Sequence, residues 1–134
     1  MMQAFTCNLN PARIVFGQGT LAKVAEEIRG QGCARALILS TPFQEGDAQA
    51  LAAQLGDLAA GVFSQAAMHT PVSVTQQAVE AYDRADADCV VALGGGSTIG
   101  LGKAIAYRKD CPQIVVATTY AGSEGTPILG QTED

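Results

Sequence analysis

Tryptophan is absent from this chain of 134 residues, histidine occurs once, and aromatic residues make up only 5%. One histidine, His69, cannot by itself build an imidazole metal cluster. Charge is scarce as well. Eight Lys and Arg stand against 13 Asp and Glu, for a net charge of −5. Bases this few and this scattered exclude nucleic acid as the main partner, because phosphate binding needs clustered Lys and Arg. Long apolar runs are missing too. Cys89-Val90-Val91-Ala92-Leu93 is among the longest and is far too short to span a bilayer. The opening Met1 to Cys7 lacks both the basic start and the apolar stretch of a secretory signal. The four cysteines, Cys7, Cys33, Cys89 and Cys111, show no Cys-x-x-Cys spacing. Cys89 opens an apolar run and reads as a small buried hydrophobe, so free thiols in a reducing cytoplasm are expected.

What is present is apolar and glycine-rich. Hydrophobic residues reach 48%, 15 glycines are spread along the chain, and mean hydropathy is +0.17. Disordered chains have the opposite composition, so a folded chain of single-domain length is expected. No internal repeat, low-complexity segment or linker interrupts it. The extended segment that starts at Pro127 is not resolved by Asp134, as in a piece of a longer protein.

The hydrophobic pattern alternates between two periods. Arg13-Ile14-Val15-Phe16 reads as a short strand. Thr20 is placed as an N-cap before Leu21, Val24, Ala25 and Ile28, which share one helical face, and Gly30 and Gly32 end that helix. Ala36-Leu37-Ile38-Leu39 is a continuous apolar run of strand length. Asp47 is placed as the cap of a helix with inner face Ala48, Leu51, Ala52 and Leu55, closed by Gly56. Gly61-Val62-Phe63 is a weaker strand. Thr70-Pro71 reads as an N-cap with proline at the first helical position, ahead of the stripe Val74, Ala78, Ala81, Tyr82 and Ala85. Residues 89–93 then read as a strand, 97 to about 108 as a helix, and 114–117 as a last strand. Strands that are apolar throughout and alternate with helices predict an α/β fold. The expected form is a Rossmann-like three-layer domain whose mostly parallel sheet is covered by helices on both faces.

The chemistry concentrates after two strands. Val90-Val91-Ala92-Leu93 runs into Gly94-Gly95-Gly96 and a helix expected to begin at Ser97. Glycine lets backbone approach a ligand closely, and a helix N-terminus offers free N–H groups and partial positive charge. The combination suits a pyrophosphate. It is not the usual dinucleotide fingerprint, since Ile99 stands where that pattern needs its third glycine. Nor is it a P-loop, since Ser97 and Ala104 replace the required glycine and hydroxyl; Lys103 falls inside the helix, as a solvated residue or a secondary cofactor contact. The second stretch, Thr118-Thr119-Tyr120-Ala121-Gly122-Ser123-Glu124-Gly125-Thr126, follows the last strand, where open α/β sheets bind ligands.

Together these residues resemble the iron-containing alcohol dehydrogenase superfamily: Gly-Gly-Gly-Ser with Lys103-Ala104, then Thr118-Thr119 and Gly122-Ser123-Glu124, with Pro11-Ala12-Arg13-Ile14-Val15-Phe16-Gly17 at the start. Gly100, where most of the superfamily has Asp, the short Tyr120-Ala121-Gly122-Ser123-Glu124 and Met68-His69-Thr70-Pro71 look most like its maleylacetate reductase branch. The similarity spans essentially all of residues 1–134 and implies an N-terminal dinucleotide-binding domain without the family's helical C-terminal domain. It implies NADH- or NADPH-dependent reduction of the carbon–carbon double bond of maleylacetate to 3-oxoadipate, in aromatic-compound breakdown. A metal-dependent alcohol or polyol dehydrogenase of the same superfamily and a non-catalytic nucleotide-binding module are the alternatives.

The resemblance also implies roles. Gly95, Gly96 and Ser97 take the pyrophosphate, Thr118 and Thr119 the adenosine or phosphates, and Tyr120 and Ser123 lie near nicotinamide or substrate. Many relatives carry an Asp after the second strand that grips the adenosine ribose; here the stretch is Ser40-Thr41-Pro42, so Thr41 is placed at the ribose and strict NAD preference is not expected. The family's metal ligands belong to the C-terminal domain, so no metal is expected in this chain, and His69 is given a structural or peripheral role. The catalytic acid is expected outside residues 1–134, and this stretch alone is expected to be inactive. The implied partners are a small dicarboxylate substrate and, at full length, a second subunit; nucleic acid and membrane are not expected.

Overall fold

The computed structural model describes residues 20–117. The strand placed at 13–16 and the segment from Thr118 onward lie outside them. Four strands, β1 (Ala36–Leu39), β2 (Ala59–Phe63), β3 (Cys89–Gly94) and β4 (Gln113–Ala117), form one sheet in the order β2-β1-β3-β4. Each adjacent pair is parallel. Helices α1 (Val24–Gly30), α2 (Glu45–Leu55), α3 (Val72–Arg84) and α4 (Gly96–Lys109) complete the described elements. This is the expected Rossmann-like α/β arrangement.

Side-chain alternation along the strands sorts the core into two layers. Ala36 and Ile38 of β1 with Cys89, Val91 and Leu93 of β3 face Val24 and Ile28 of α1 and Ala48, Leu51 and Leu55 of α2. Leu37, Leu39, Val90 and Ala92 face the other way, onto Ala78 and Tyr82 of α3 and Leu101 and Ile105 of α4. Both faces of the central strands are covered, which is why β1 and β3 read as unbroken apolar runs rather than as alternating ones.

The starts of α1, α2 and α3 differ from the sequence expectation, as does that of α4, which begins at Gly96. A 3-10 turn (Thr20–Lys23) precedes α1, and Lys23 takes the cap position in place of Thr20. Asp47 lies within the first turn of α2, after a 3-10 turn at Pro42–Gln44, and Gln44 takes its cap position. The cap of α3 is Pro71 (φ −58°, ψ 139°), so proline stands one residue outside the helix. Thr70 is buried in a left-handed conformation (φ 46°), directly after left-handed His69 (φ 63°). Gly100 is the counterpart of that turn. A Cβ there would come 2.5 Å from Thr70 Oγ1, so the glycine leaves α4 open to the β2–α3 turn.

Candidate functional site

The chain leaves β1 for α2 on one face and β3 for α4 on the other. Divergence of neighbouring strands opens a crevice outside their carboxyl ends, the usual ligand position in open α/β sheets. Here that crevice is bounded by Ser40 to Gln44 after β1 and by Gly94 to Gly96 after β3.

The glycines do different work. Gly94 ends β3 with φ +146°, a conformation that residues with a side chain rarely adopt. A Cβ there would also meet Gln44 Oε1 at 2.7 Å and Thr98 Oγ1 at 2.8 Å. Gly95 is the extended N-cap of α4 (φ −100°, ψ −153°), and its carbonyl accepts the Ile99 N–H at 3.0 Å. Gly96 is the first helical residue and has no positive φ. Ser97, expected to open the helix, is its second residue.

The end of α4 is arranged for an anion. The first amides of a helix have no acceptor inside it. Its N-cap residue, Gly95, offers no side-chain cap and no acidic residue lies in its first turn, so α4 itself carries nothing that offsets the partial positive charge at Gly96, Ser97 and Thr98. Thr98 is fully buried beneath the loop, and no partner reaches its hydroxyl among the described residues. An uncapped terminus, an orphaned buried hydroxyl and a loop without β-carbons fit a phosphate group.

Across the crevice, Thr41 is half-buried and extended (φ −78°, ψ 164°). Its carbonyl accepts Gln44 N at 3.1 Å and Ser40 Oγ at 3.0 Å, while its side chain makes no capping bond. Gln44 is the residue that sequence reasoning missed. Its side-chain oxygen lies 2.7 Å from where a Cβ on Gly94 would stand, so it reaches from the β1 loop toward the other wall; only its place after a carboxyl strand end could have marked it. Gly94 is the first of three glycines, and nothing in the sequence tells a left-handed glycine from its neighbours.

β4 ends at Ala117, paired with Gly94, so its last described residue adjoins the glycine loop. Thr118, Thr119, Tyr120 and Ser123 lie outside the described residues. Lys103 is half-buried in α4, about two turns from its start. His69 is exposed in the β2–α3 turn. Gly102 serves packing: a Cβ there would fall on the Gln113 amide, which donates to Ile99 O at 3.2 Å and ties α4 to β4. A shallow depression lined by Gln76, Val79, Glu80 and Arg108 shares no residue with the crevice. No described helix is long and apolar enough to cross a membrane.

Comparison with known proteins agrees with this geometry. The model of the family described as "Iron-containing alcohol dehydrogenase" matches residues 11–134. The maleylacetate reductase of Rhizobium sp. (strain MTP-10005) is 72% identical over 133 residues, covering 99% of this chain and 38% of the relative. A crystal structure of maleylacetate reductase from Agrobacterium tumefaciens superposes with a TM-score of 0.94 at 71% identity, covering 99% of this chain and 38% of that one. Sulfoacetaldehyde reductase from Bifidobacterium kashiwanohense, solved in complex with NAD+, shares the fold alone: TM-score 0.81 at 24% identity, over 96% of this chain and 41% of that one. The chain thus spans about two fifths of the length of the proteins it resembles. With its glycine loop, parallel sheet and split crevice, it belongs to the iron-containing alcohol dehydrogenase family.

Proposed function

We propose that residues 1–134 are the dinucleotide-binding domain of a maleylacetate reductase that reduces the carbon–carbon double bond of maleylacetate with NADH or NADPH. The observation that carries this reading is the uncapped N-terminus of α4 behind Gly94-Gly95-Gly96, in a chain 72% identical to a maleylacetate reductase. The backbone amides of Gly96, Ser97 and Thr98 donate to the oxygens of the pyrophosphate. Gly95 and Gly96 keep side chains out of that approach. Thr41 faces the adenosine ribose from the β1 side, and its neutral hydroxyl tolerates a 2′-phosphate as well as a 2′-hydroxyl. Thr118 and Thr119 contact adenosine or phosphates, and Tyr120 and Ser123 stand near nicotinamide or substrate.

When bound, the cofactor supplies the hydride for one carbon of the double bond. A proton reaches the other carbon from a group outside residues 1–134, and 3-oxoadipate and the oxidised cofactor leave. On this reading the substrate is a small dicarboxylate, and the intact protein is a cytoplasmic homodimer.

The test is the loss of NADH and NADPH absorbance on adding maleylacetate to the intact protein after treatment with a chelator. Turnover that survives chelation supports the assignment. Activity confined to simple alcohols and restored only by a divalent metal overturns it in favour of a metal-dependent dehydrogenase.

A further inference from the structure

The opposite, amino end of the sheet carries a donor cluster that the cofactor crevice does not use. Cys33 lies in the loop before β1, Asp88 immediately precedes β3, and Cys89 opens it. One ligand atom from each falls within 4.8 Å of the others. Cys89 is fully buried, Cys33 is nearly so, and Asp88 is exposed, which gives the cluster one side open to solvent. The pairing of Ala36 with Cys89 brings β1 and β3 into register at that point. The Cys33 sulfur also lies 3.8 Å from the Asp88 carbonyl oxygen and 3.7 Å from the Gln31 carbonyl oxygen.

We propose that Cys33, Cys89 and Asp88 form a binding site for a thiophilic divalent cation of the zinc and cadmium class, separate from the cofactor crevice. Tetrahedral zinc, at about 2.3 Å from sulfur and about 2.0 Å from oxygen, sets the sulfurs about 3.8 Å apart and sulfur and oxygen about 3.5 Å apart, so donors within 4.8 Å of one another need to draw together by no more than about 1.3 Å. Two thiolates and a carboxylate leave the fourth position to water on the exposed Asp88 side. The Asp88 carboxylate accepts the N–H groups of Ala34 and Arg35 at 2.9 and 3.0 Å, and an ionised carboxylate has lone pairs left for an ion. An ordinary thiol is protonated at neutral pH, so binding one M2+ forms two M–S bonds and releases two protons. The bound ion staples the α1–β1 loop to the start of β3, and an ion that binds only the folded state raises Tm.

The probe is Cd2+ alone, added to the intact protein with a phosphine reductant. The expected result is a thiolate-to-cadmium ultraviolet band that saturates with stoichiometric metal, proton release, and a higher Tm. Cys33→Ser should weaken Cd2+ binding more than tenfold and reduce the band, whereas Cys111→Ser should leave both unchanged. Anomalous scattering from a cadmium-loaded crystal of the wild-type protein locates the ion even if Cys33→Ser fails to fold. Density between the Cys33 and Cys89 sulfurs supports the site. Density only elsewhere, no band in folded protein, or a band unaffected by Cys33→Ser overturns it.

Discussion

At the amino end of the sheet, Asp88 accepts two backbone N–H groups of the α1–β1 loop, and the Arg35 guanidinium donates to the carbonyls of Ala85 and Asp86. At the carboxyl end, the N-cap of α4 is Gly95, which offers no side-chain cap, and Thr98 Oγ1 has no partner among the described residues. Both ends are turns between strands and helices, and both carry exposed backbone. They differ in what satisfies it. An unsatisfied buried group costs roughly 1–3 kcal/mol, so a fold retains one chiefly where a ligand completes it. Asp88 and Arg35 brace the loops on which the strands start, and the α4 terminus is the end to which the proposed function assigns a phosphate.

The sharpest way to break this comparison is to block the carboxyl end without disturbing its fold. Gly96 is the first residue of α4 and lacks a positive φ, so a side chain there is conformationally allowed. Gly96→Val in the intact protein should place carbon between amides and phosphate. Loss of two charge-assisted hydrogen bonds, at roughly 1.5–3 kcal/mol each, corresponds to a rise in cofactor Kd of more than about a hundredfold. Tm of the free protein should barely move. Calorimetric titration and a melting curve on one sample give both readings. Unchanged affinity in folded protein removes the pyrophosphate from this loop.

The amino end should respond in the opposite sense. Asp88→Ala strips the acceptor from the N–H groups of Ala34 and Arg35 and should cost about 2 kcal/mol in denaturant unfolding. Asp88→Asn, with one acceptor oxygen in place of two, should recover about half of that loss. Cofactor affinity should be unchanged in both. A loss of affinity with stability intact would mean that the two ends are coupled through β3.

Gly94 tests where the ends cease to be separable. Gly94→Ala imposes a side chain on φ +146° and drives a Cβ toward Gln44 and Thr98. Strain of this kind costs roughly 1–3 kcal/mol, so stability and cofactor binding should fall together. If Gly94→Ala alters binding alone, the loop adapts more freely than its geometry indicates.

The sequence made the layers legible and left the joints obscure. Continuous apolar runs such as Ala36 to Leu39 have one economical explanation, a parallel strand covered on both faces. Helix starts failed where a local rule met a tertiary constraint. Thr70-Pro71 has the form of a cap, yet Thr70 is drawn into a left-handed turn against Gly100. Asp47 suited a cap, but the 3-10 turn at Pro42–Gln44 starts the helix earlier. At the site, the glycine loop was visible as composition, whereas Gln44 was not, because its role depends on the distance between two loops more than forty positions apart. The same separation hid the proximity of Cys33 to Cys89.

The smallest expected effect concerns the ribose side of the crevice. Thr41 serves its turn through its carbonyl, which accepts Gln44 N and Ser40 Oγ, while its side chain caps nothing. A substitution there should leave the turn intact. The native protein should discriminate between NADH and NADPH by less than about a hundredfold in kcat/KM, since a neutral hydroxyl does not repel a 2′-phosphate. Thr41→Asp places a carboxylate at the end of β1, where it can accept from ribose hydroxyls and repel the phosphate. The ratio of kcat/KM for NADH over NADPH should then rise at least tenfold, or about 1.4 kcal/mol. On the proposed reading the α4 terminus meets only the pyrophosphate common to both cofactors, so Gly96→Val should weaken them equally and leave the ratio where it was. If Thr41→Asp also leaves the ratio unchanged, the ribose is read by residues beyond the β1 loop. The cofactor function of the carboxyl end then rests on the α4 terminus alone.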